Sequence, residues 1–245
     1  MASDLRAGIA ALKWYQRLPI GDEFTPGARD VADLYRFLRL PKDLRGRRVL
    51  DVGTFDGGLA FACEARGADE VVALDVVRHA TFAFAHTALQ SRVRFEKGNA
   101  YDLDPQRLGT FDLVIFAGVL YHLRYPLLAL DRLRRIASAD VHVETHTERL
   151  PIRRPAAVFY ERDELNCDYS NWFGPNDRAV RAWFRSAGFT IERLARKRER
   201  VSYRAAIAPG STPILERDWP QAYASFGFPA TPVPQPATQR RSQRS

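Results

Sequence analysis

Apolar and polar positions alternate along this 245-residue chain with two periods, and each switch between them marks an element. The run Val49-Leu50-Asp51-Val52 is short and β-branched, the pattern of a strand buried on both faces. It enters the glycine-rich turn Gly53-Thr54-Phe55-Asp56-Gly57-Gly58, and helical spacing follows over residues 57–66. Strand 71–75, helix 79–89, strand 92–96, strand 111–117, helix 126–136 and strand 140–145 continue the alternation. Strands separated by helices predict a mainly parallel sheet with right-handed crossovers and helices on both faces. A helix over 177–187 ends at Gly188, and strands 189–194 and 201–207 are joined by the short link Arg196-Lys197-Arg198-Glu199-Arg200, which predicts an antiparallel hairpin.

Three stretches lie outside this alternation. Leu5, Ile9, Leu12 and Tyr15 have helical spacing, so 5–19 reads as a leading helix, stopped by Pro19-Ile20-Gly21. Val31, Leu34, Tyr35 and Leu38 predict a second helix over 30–40, closed by Pro41. Residues 1–45 are thus expected to form a helical cap over one end of the sheet, with 46–208 as the core. Between Thr147 and Asn176 the periodicity lapses while prolines and aromatics accumulate, among them Phe159, Tyr160, Tyr169, Trp172 and Phe173. A loop of that length inside a compact domain is usually functional or disordered, and the density of aromatics argues that 147–175 is an ordered lid. Residues 209–245, rich in proline and small polar residues, form an extension expected to be partly ordered to about Phe228 and disordered beyond.

Composition narrows the class. Hydrophobic residues make up 46% and charged residues 27% of the chain, and no apolar run approaches the roughly 20 residues a membrane helix needs. The N-terminus lacks the basic-then-apolar order of a signal peptide, and two distant cysteines, Cys63 and Cys167, make neither a disulfide framework nor a zinc site. A cytoplasmic protein with no membrane partner is expected. The formal net charge of +8 suits an anionic partner. Much of that excess sits in residues 196–200 and 239–245, where solvated charge explains it, and no aromatic-interleaved basic stripe accompanies the arginines.

The chemistry is concentrated around the glycine turn. About 20 residues past it, the strand Val71-Val72-Ala73-Leu74 ends in Asp75, where a carboxylate can accept both hydroxyls of a ribose. The turn departs from G-x-G-x-x-G at Phe55, and Asp51 and Asp56 flank it, so a pyrophosphate would meet two carboxylates and a ring. A cofactor ending in an amino acid would welcome acid there, while Gly53 lets backbone approach closely. On these residues the chain resembles class I S-adenosylmethionine-dependent methyltransferases, whose first motif reads acid-x-Gly-x-Gly-x-Gly. A nicotinamide dehydrogenase is the competing enzyme class.

The run Phe111 to Leu127, containing Gly118-Val119-Leu120-Tyr121-His122 and then Pro126-Leu127, resembles the group around bacterial tRNA wobble-uridine methyltransferases and carboxymethyltransferases. The likeness covers about residues 46–145, and Asn171 to Asn176 is similar to a downstream element of related proteins. The resemblance implies a Rossmann-like, seven-stranded sheet and S-adenosylmethionine as cofactor. It also implies adenine at Asn99-Ala100 and the sulfonium end at Ala117 and Tyr121. Carboxymethylating members place positive side chains from a longer N-terminal region on an extra carboxylate; those positions have no match here.

Ligands of open parallel sheets lie beyond the carboxyl ends of the strands. The expected cofactor contacts are therefore Asp51, Gly53, Thr54, Asp75, Val76, Asn99, Ala100, Ala117 and Tyr121. His122 leads the candidates for a base, with Tyr121, Glu144 and His146 behind it; His122 as a simple backbone hydrogen-bonding residue and Asp75 as a helix N-cap are the plain alternatives. His122, Glu144 and His146 are metal-ligand types, but no ligand spacing marks a metal site, and none is expected. Trp172 and Phe173 are candidates to stack on a planar acceptor, and Arg149, Arg153 and Arg154 to meet a carboxylate or phosphate. The reading is a methyltransferase acting on a small molecule. The alternatives are a tRNA wobble-uridine methyl- or carboxymethyltransferase and a nucleic-acid-binding module that keeps only the fold.

Overall fold

In the computed structural model, residues 2–207 and 210–228 are described. Seven strands form one sheet: β1 (Arg48–Val52), β2 (Glu70–Asp75), β3 (Arg94–Lys97), β4 (Phe111–Ala117), β5 (Ala137–His146), β6 (Phe189–Lys197) and β7 (Arg200–Ile207). Their order is β6-β7-β5-β4-β1-β2-β3. The neighbours from β5 to β3 are parallel, whereas β7 runs antiparallel to both β5 and β6. The break has a local cause: Lys197 pairs with Arg200, leaving only Arg198-Glu199 to turn the chain, too few residues for a parallel crossover.

Around the sheet lie α1 (Ala2–Ala10), α2 (Val31–Phe37), α3 (Gly58–Glu64), α4 (Ala80–Ala88), α5 (Pro105–Leu108), α6 (Pro126–Ile136), α7 (Asp177–Ser186), α8 (Ile214–Asp218) and α9 (Pro220–Ser225). Strand alternation divides the core in two. Val49, Val71, Leu113 and Ile115 face Val31 and Leu34 of α2, Leu59 and Phe61 of α3 and Phe82 of α4. Leu50, Val52, Val114 and Phe116 face Leu130 and Leu133 of α6 and Val180 and Phe184 of α7. A one-residue slip in any central strand would exchange these faces wholesale, and that fixes the register.

The N-terminal region departs from expectation. The leading helix ends at Ala10, nine residues short of the predicted limit, and residues 11–30 run as a loop with short pairings. Gln16–Arg17 pairs with Arg29–Asp30 in parallel, and Pro19–Ile20 pairs with Glu23–Phe24. The backbone N–H groups of Tyr15 and Gln16, which a helix would have consumed, donate instead to the buried Asp56 carboxylate at 2.9 and 2.6 Å. Gly27 is required where these stretches cross, because a Cβ there would lie 2.2 Å from the Gln16 backbone. Both N-terminal helices pack on the face shared with α3 and α4 rather than capping an end of the sheet as expected; Tyr15, Gln16 and Arg29 of the loop between them, with Leu34 of α2, reach the cavity at the carboxyl edge.

The lid stretch is ordered by its own backbone. Ala157–Phe159 pairs antiparallel with Phe173–Pro175, and Trp172 donates its N–H to the Tyr121 carbonyl at 2.8 Å. Beyond β7, α8 and α9 return over α6, where Arg134 donates to the Ser211 carbonyl at 2.8 Å. The expectation for the tail past Phe228 lies outside the described residues.

Candidate functional site

The carboxyl ends of β1, β2, β4 and β5 open into a cavity of about 900 Å³, closed by the 11–30 loop on one side and the lid on the other. The floor is built by the turn after β1. Gly53 has φ +73°, and a Cβ on it would meet Val119 Cγ2 at 2.6 Å, so its bare backbone is what keeps this part of the cavity open. Gly53 and Thr54 both donate N–H to the Leu74 carbonyl, at 2.8 and 3.2 Å, tying the turn to β2. Phe55, where the motif has glycine, takes the left-handed conformation glycine favours (φ +53°) and stacks on His79 with ring centres 4.2 Å apart.

Asp75, 8% exposed, ends β2 with its carboxylate on the cavity wall. It accepts from the Phe55 N–H at 3.0 Å and the Val77 N–H at 3.3 Å. The N-cap of the next helix is His79, so Asp75 is not its cap; it is an anchored acceptor with one lone pair per oxygen to spare. Asp51 is buried beneath the turn and receives the Thr54 hydroxyl at 2.8 Å. Burial, with Asp75 nearby, outweighs that bond and pushes its pKa up to about 7. Asp56 does not face the cavity with it: its second oxygen takes Thr81 Oγ1 at 2.5 Å, so all its bonds are structural. The expectation of two acids flanking a ligand is thereby reduced to one.

Val76, Asn99, Ala100 and Ala117 line the cavity. Asn99 Oδ1 accepts the Tyr101 N–H at 2.7 Å, which fixes the loop after β3. Tyr121 and His122 form a short 3-10 turn after β4 and line the same cavity as Asp75. Burial pushes the Tyr121 phenol up, against the pull of Arg200, whose guanidinium lies 4.8 Å from the ring centre.

His122 is tied to the lid. Ser170 Oγ donates to Asp168 Oδ1 at 2.6 Å and stands 2.9 Å from His122 Nδ1. Burial raises the Asp168 pKa, but the Ser170 hydroxyl and N–H outweigh it and hold the carboxyl below its ordinary value. The one hydroxyl proton is therefore spent on Asp168, and Ser170 Oγ must accept from Nδ1–H. The Ser170 carbonyl, 3.3 Å from the same nitrogen, also needs a donor. The neutral ring thus carries its proton on Nδ1 and a free lone pair on Nε2. Burial lowers the imidazole pKa and favours that neutral form.

Glu144 and His146 stand differently. Glu144, 1% exposed, is gripped by Arg200 through Nε and Nη2, both at 2.5 Å, and by Arg29 Nη2 at 2.8 Å. Its oxygens are occupied, so it is a clamp holding two arginines on the cavity wall rather than a free base. His146 does not line the cavity; it lies behind Tyr121, with Nε2 3.2 Å from Glu148 and 3.4 Å from the Tyr160 hydroxyl. Trp172 and Phe173 are also outside it, Trp172 under Arg124 at 4.4 Å. The lid presents Asn166, Asp168, Ser170 and Asn171 instead. Sequence reasoning passed over these, together with Gln16, Arg29 and Arg200. A signal existed in Asp168-Tyr169-Ser170-Asn171, whose side chains form local loop bonds. Arg200 was hidden in a basic run taken for solvated charge.

A methyltransferase-domain family profile matches residues 23–194. The chain belongs to that family. The methyltransferase domain is 32% identical over 158 residues to the tRNA U34 carboxymethyltransferase of Pseudomonas paraeruginosa, covering 62% of this chain and 47% of that one. The enzyme of the same name from Dichelobacter nodosus is 30% identical over 164 residues, 64% of this chain and 50% of the other. The chain thus spans about half the length of the curated relatives it matches. Among solved structures, the N-terminal domain of EvdMO1 with SAH bound superposes with a TM-score of 0.63 at 20% identity, covering 84% of this chain and 97% of that domain. The Burkholderia thailandensis 1,6-didemethyltoxoflavin-N1-methyltransferase gives 0.53 at 19% identity, covering 73% and 76%. At these identities the likeness is one of fold, the Rossmann-like methyltransferase sheet expected from the sequence.

Proposed function

We propose that this methyltransferase domain transfers a methyl group from S-adenosylmethionine to a small-molecule acceptor, in a cytoplasmic setting. The observation that carries the reading is one cavity lined at once by Asp75 and the bare Gly53 turn and by Tyr121 and His122. The chain fits the cofactor at the points where it would have to yield: a Cβ at Gly53 would fill the cradle, and Asp75 retains acceptor capacity for ribose hydroxyls. Asp51, Val76, Asn99, Ala100 and Ala117 complete that half. The bound cofactor supplies an electrophilic methyl on a sulfonium. Residues 46–208 act as the catalytic unit, with the 11–30 loop and the 147–175 lid excluding water from it.

His122 Nε2 holds the lone pair that takes a proton from a hydroxyl or ring-nitrogen acceptor. Ser170 and Asp168 keep that lone pair in place by occupying Nδ1. Glu144, through Arg200, orients Tyr121 at the methyl end. Calorimetric titration with S-adenosylhomocysteine, and separately with NAD, tests the cofactor assignment; binding of NAD alone would overturn it. A second reading, transfer to a tRNA wobble uridine with a carboxylated donor, is favoured by the identity with the curated relatives and by the Arg200 guanidinium beside Tyr121. Turnover on unmodified tRNA, with no labelled product from a small-acceptor panel, would decide for it.

A further inference from the structure

Beyond the carboxyl end of β5, sharing no lining residue with the methyl-transfer cavity, lies a polar hollow of about 330 Å³. Four arginines wall it: Arg149 from the lid, Arg178 and Arg181 one turn apart on α7, and Arg196 from β6. Among the described residues, none of the four makes an ion pair. Arg149 and Arg196 both donate to the Arg198 carbonyl, at 3.2 and 3.3 Å, which aims them from the hairpin turn. The hollow's two carboxylates are engaged elsewhere. Glu148 is bound by the Tyr160 hydroxyl at 2.6 Å, and Asp177 accepts from the Tyr203 hydroxyl at 2.9 Å. Set against those two carboxylates, the four guanidiniums leave the concavity with an excess of positive charge, which favours an anion.

We propose that this hollow is a phosphate-binding site, separate from the methyl-transfer cavity, that holds a phosphate group of the acceptor. Guanidinium forks match phosphate oxygens two at a time, and arginines on three separate elements surround a tetrahedral anion better than a planar carboxylate. Glu148 is four residues along from Glu144, so the two places are separated by at most about 13 Å of extended chain, a span within the length of a nucleotide-sized acceptor. That the phosphate belongs to an acceptor rests on the methyltransferase reading; that phosphate binds does not.

The test uses the full chain, wild type and Arg178→Gln/Arg181→Gln, with an Arg162→Gln/Arg185→Gln double variant as a charge-matched control. Three probes are titrated at low salt: uridine 5′-monophosphate, an RNA stem-loop of tRNA anticodon size, and S-adenosylhomocysteine. The hollow variant is expected to lose about tenfold or more in affinity for a phosphate-bearing probe, with S-adenosylhomocysteine binding within twofold of wild type. The control is expected to keep both. Loss confined to the monophosphate places a small phosphorylated acceptor there. Loss confined to RNA, with the log-affinity against log-salt slope reduced by about 1.4, places a nucleic-acid backbone there. Equal affinity in wild type and hollow variant, an equal loss in the control, or no binding of either phosphate probe to wild type overturns the site. Phosphate binding without S-adenosylhomocysteine binding would keep the site and remove the methyltransferase reading.

Discussion

Asp75 carries two tasks at once, because the oxygens assigned to a ribose also terminate the Phe55 and Val77 N–H groups. Asp75→Ala is therefore expected to weaken S-adenosylhomocysteine binding by roughly 10- to 100-fold and also to cost about 1–3 kcal/mol of stability from unsatisfied donors. Calorimetry and denaturant unfolding separate the two, and wild-type affinity in a folded variant would refute the ribose assignment. Asp51 offers a pH signature. Its pKa, raised by burial to about 7, should fall when an ammonium group arrives beside it, so binding releases a proton near pH 7 and affinity rises with pH across that range. Titration in buffers of different ionisation enthalpy measures that proton; no release would detach Asp51 from the ligand. For the base, His122→Asn is expected to lower turnover by about 10²-fold or more with cofactor affinity within roughly threefold. Ser170→Ala should lower turnover by less and shift its pH profile, since it frees the imidazole tautomer without removing the base.

At the scale of elements, the hairpin of β6 and β7 does more than finish the sheet. Its antiparallel register sets Ser202 opposite Glu144 and Arg200 opposite His146, and from there the Arg200 side chain reaches back to the Glu144 carboxylate. A buried ion pair contributes little over an apolar substitute, but losing one partner strands the other. Arg200→Ala should thus destabilise the chain by roughly 2–4 kcal/mol, while Arg29→Ala, whose removal leaves the bidentate Arg200 bond intact, should cost less. Equal melting temperatures for both variants would show that the clamp is not a unit. The lid, joined to Tyr121 through the Trp172 N–H and to His122 through Ser170, couples its own order to the base.

For the whole molecule, α8 and α9 lay Glu216 near Asp131 of α6, and burial together with that carboxylate pushes Asp131 up to about 7. A carboxyl whose folded pKa exceeds its unfolded one binds more protons when folded, so its contribution to stability falls as pH rises from about 4 to about 7. Asp131→Asn removes the penalty. The melting temperature of the variant relative to wild type is expected to rise between pH 5 and pH 8, and a pH-independent difference would show that Asp131 is not titrating there.

The central sheet was legible in the sequence because its evidence is local. The buried run at Val49, the glycine turn, Asp75 at a strand end and the helix at Pro126 each follow from neighbouring residues, and the parallel order follows from connection chemistry. Whatever depended on residues far apart in the chain was decided by tertiary structure. Helical spacing at Leu12 and Tyr15 was overridden by a carboxylate about 40 residues away, Asp56, which takes the N–H groups of Tyr15 and Gln16. Glu144 became a clamp because residues 56 and 115 positions distant in sequence bring guanidiniums to it. The His122 tautomer is set by a serine 48 residues on. Periodicity records which face of an element is buried; it holds no record of which polar groups meet once those faces close.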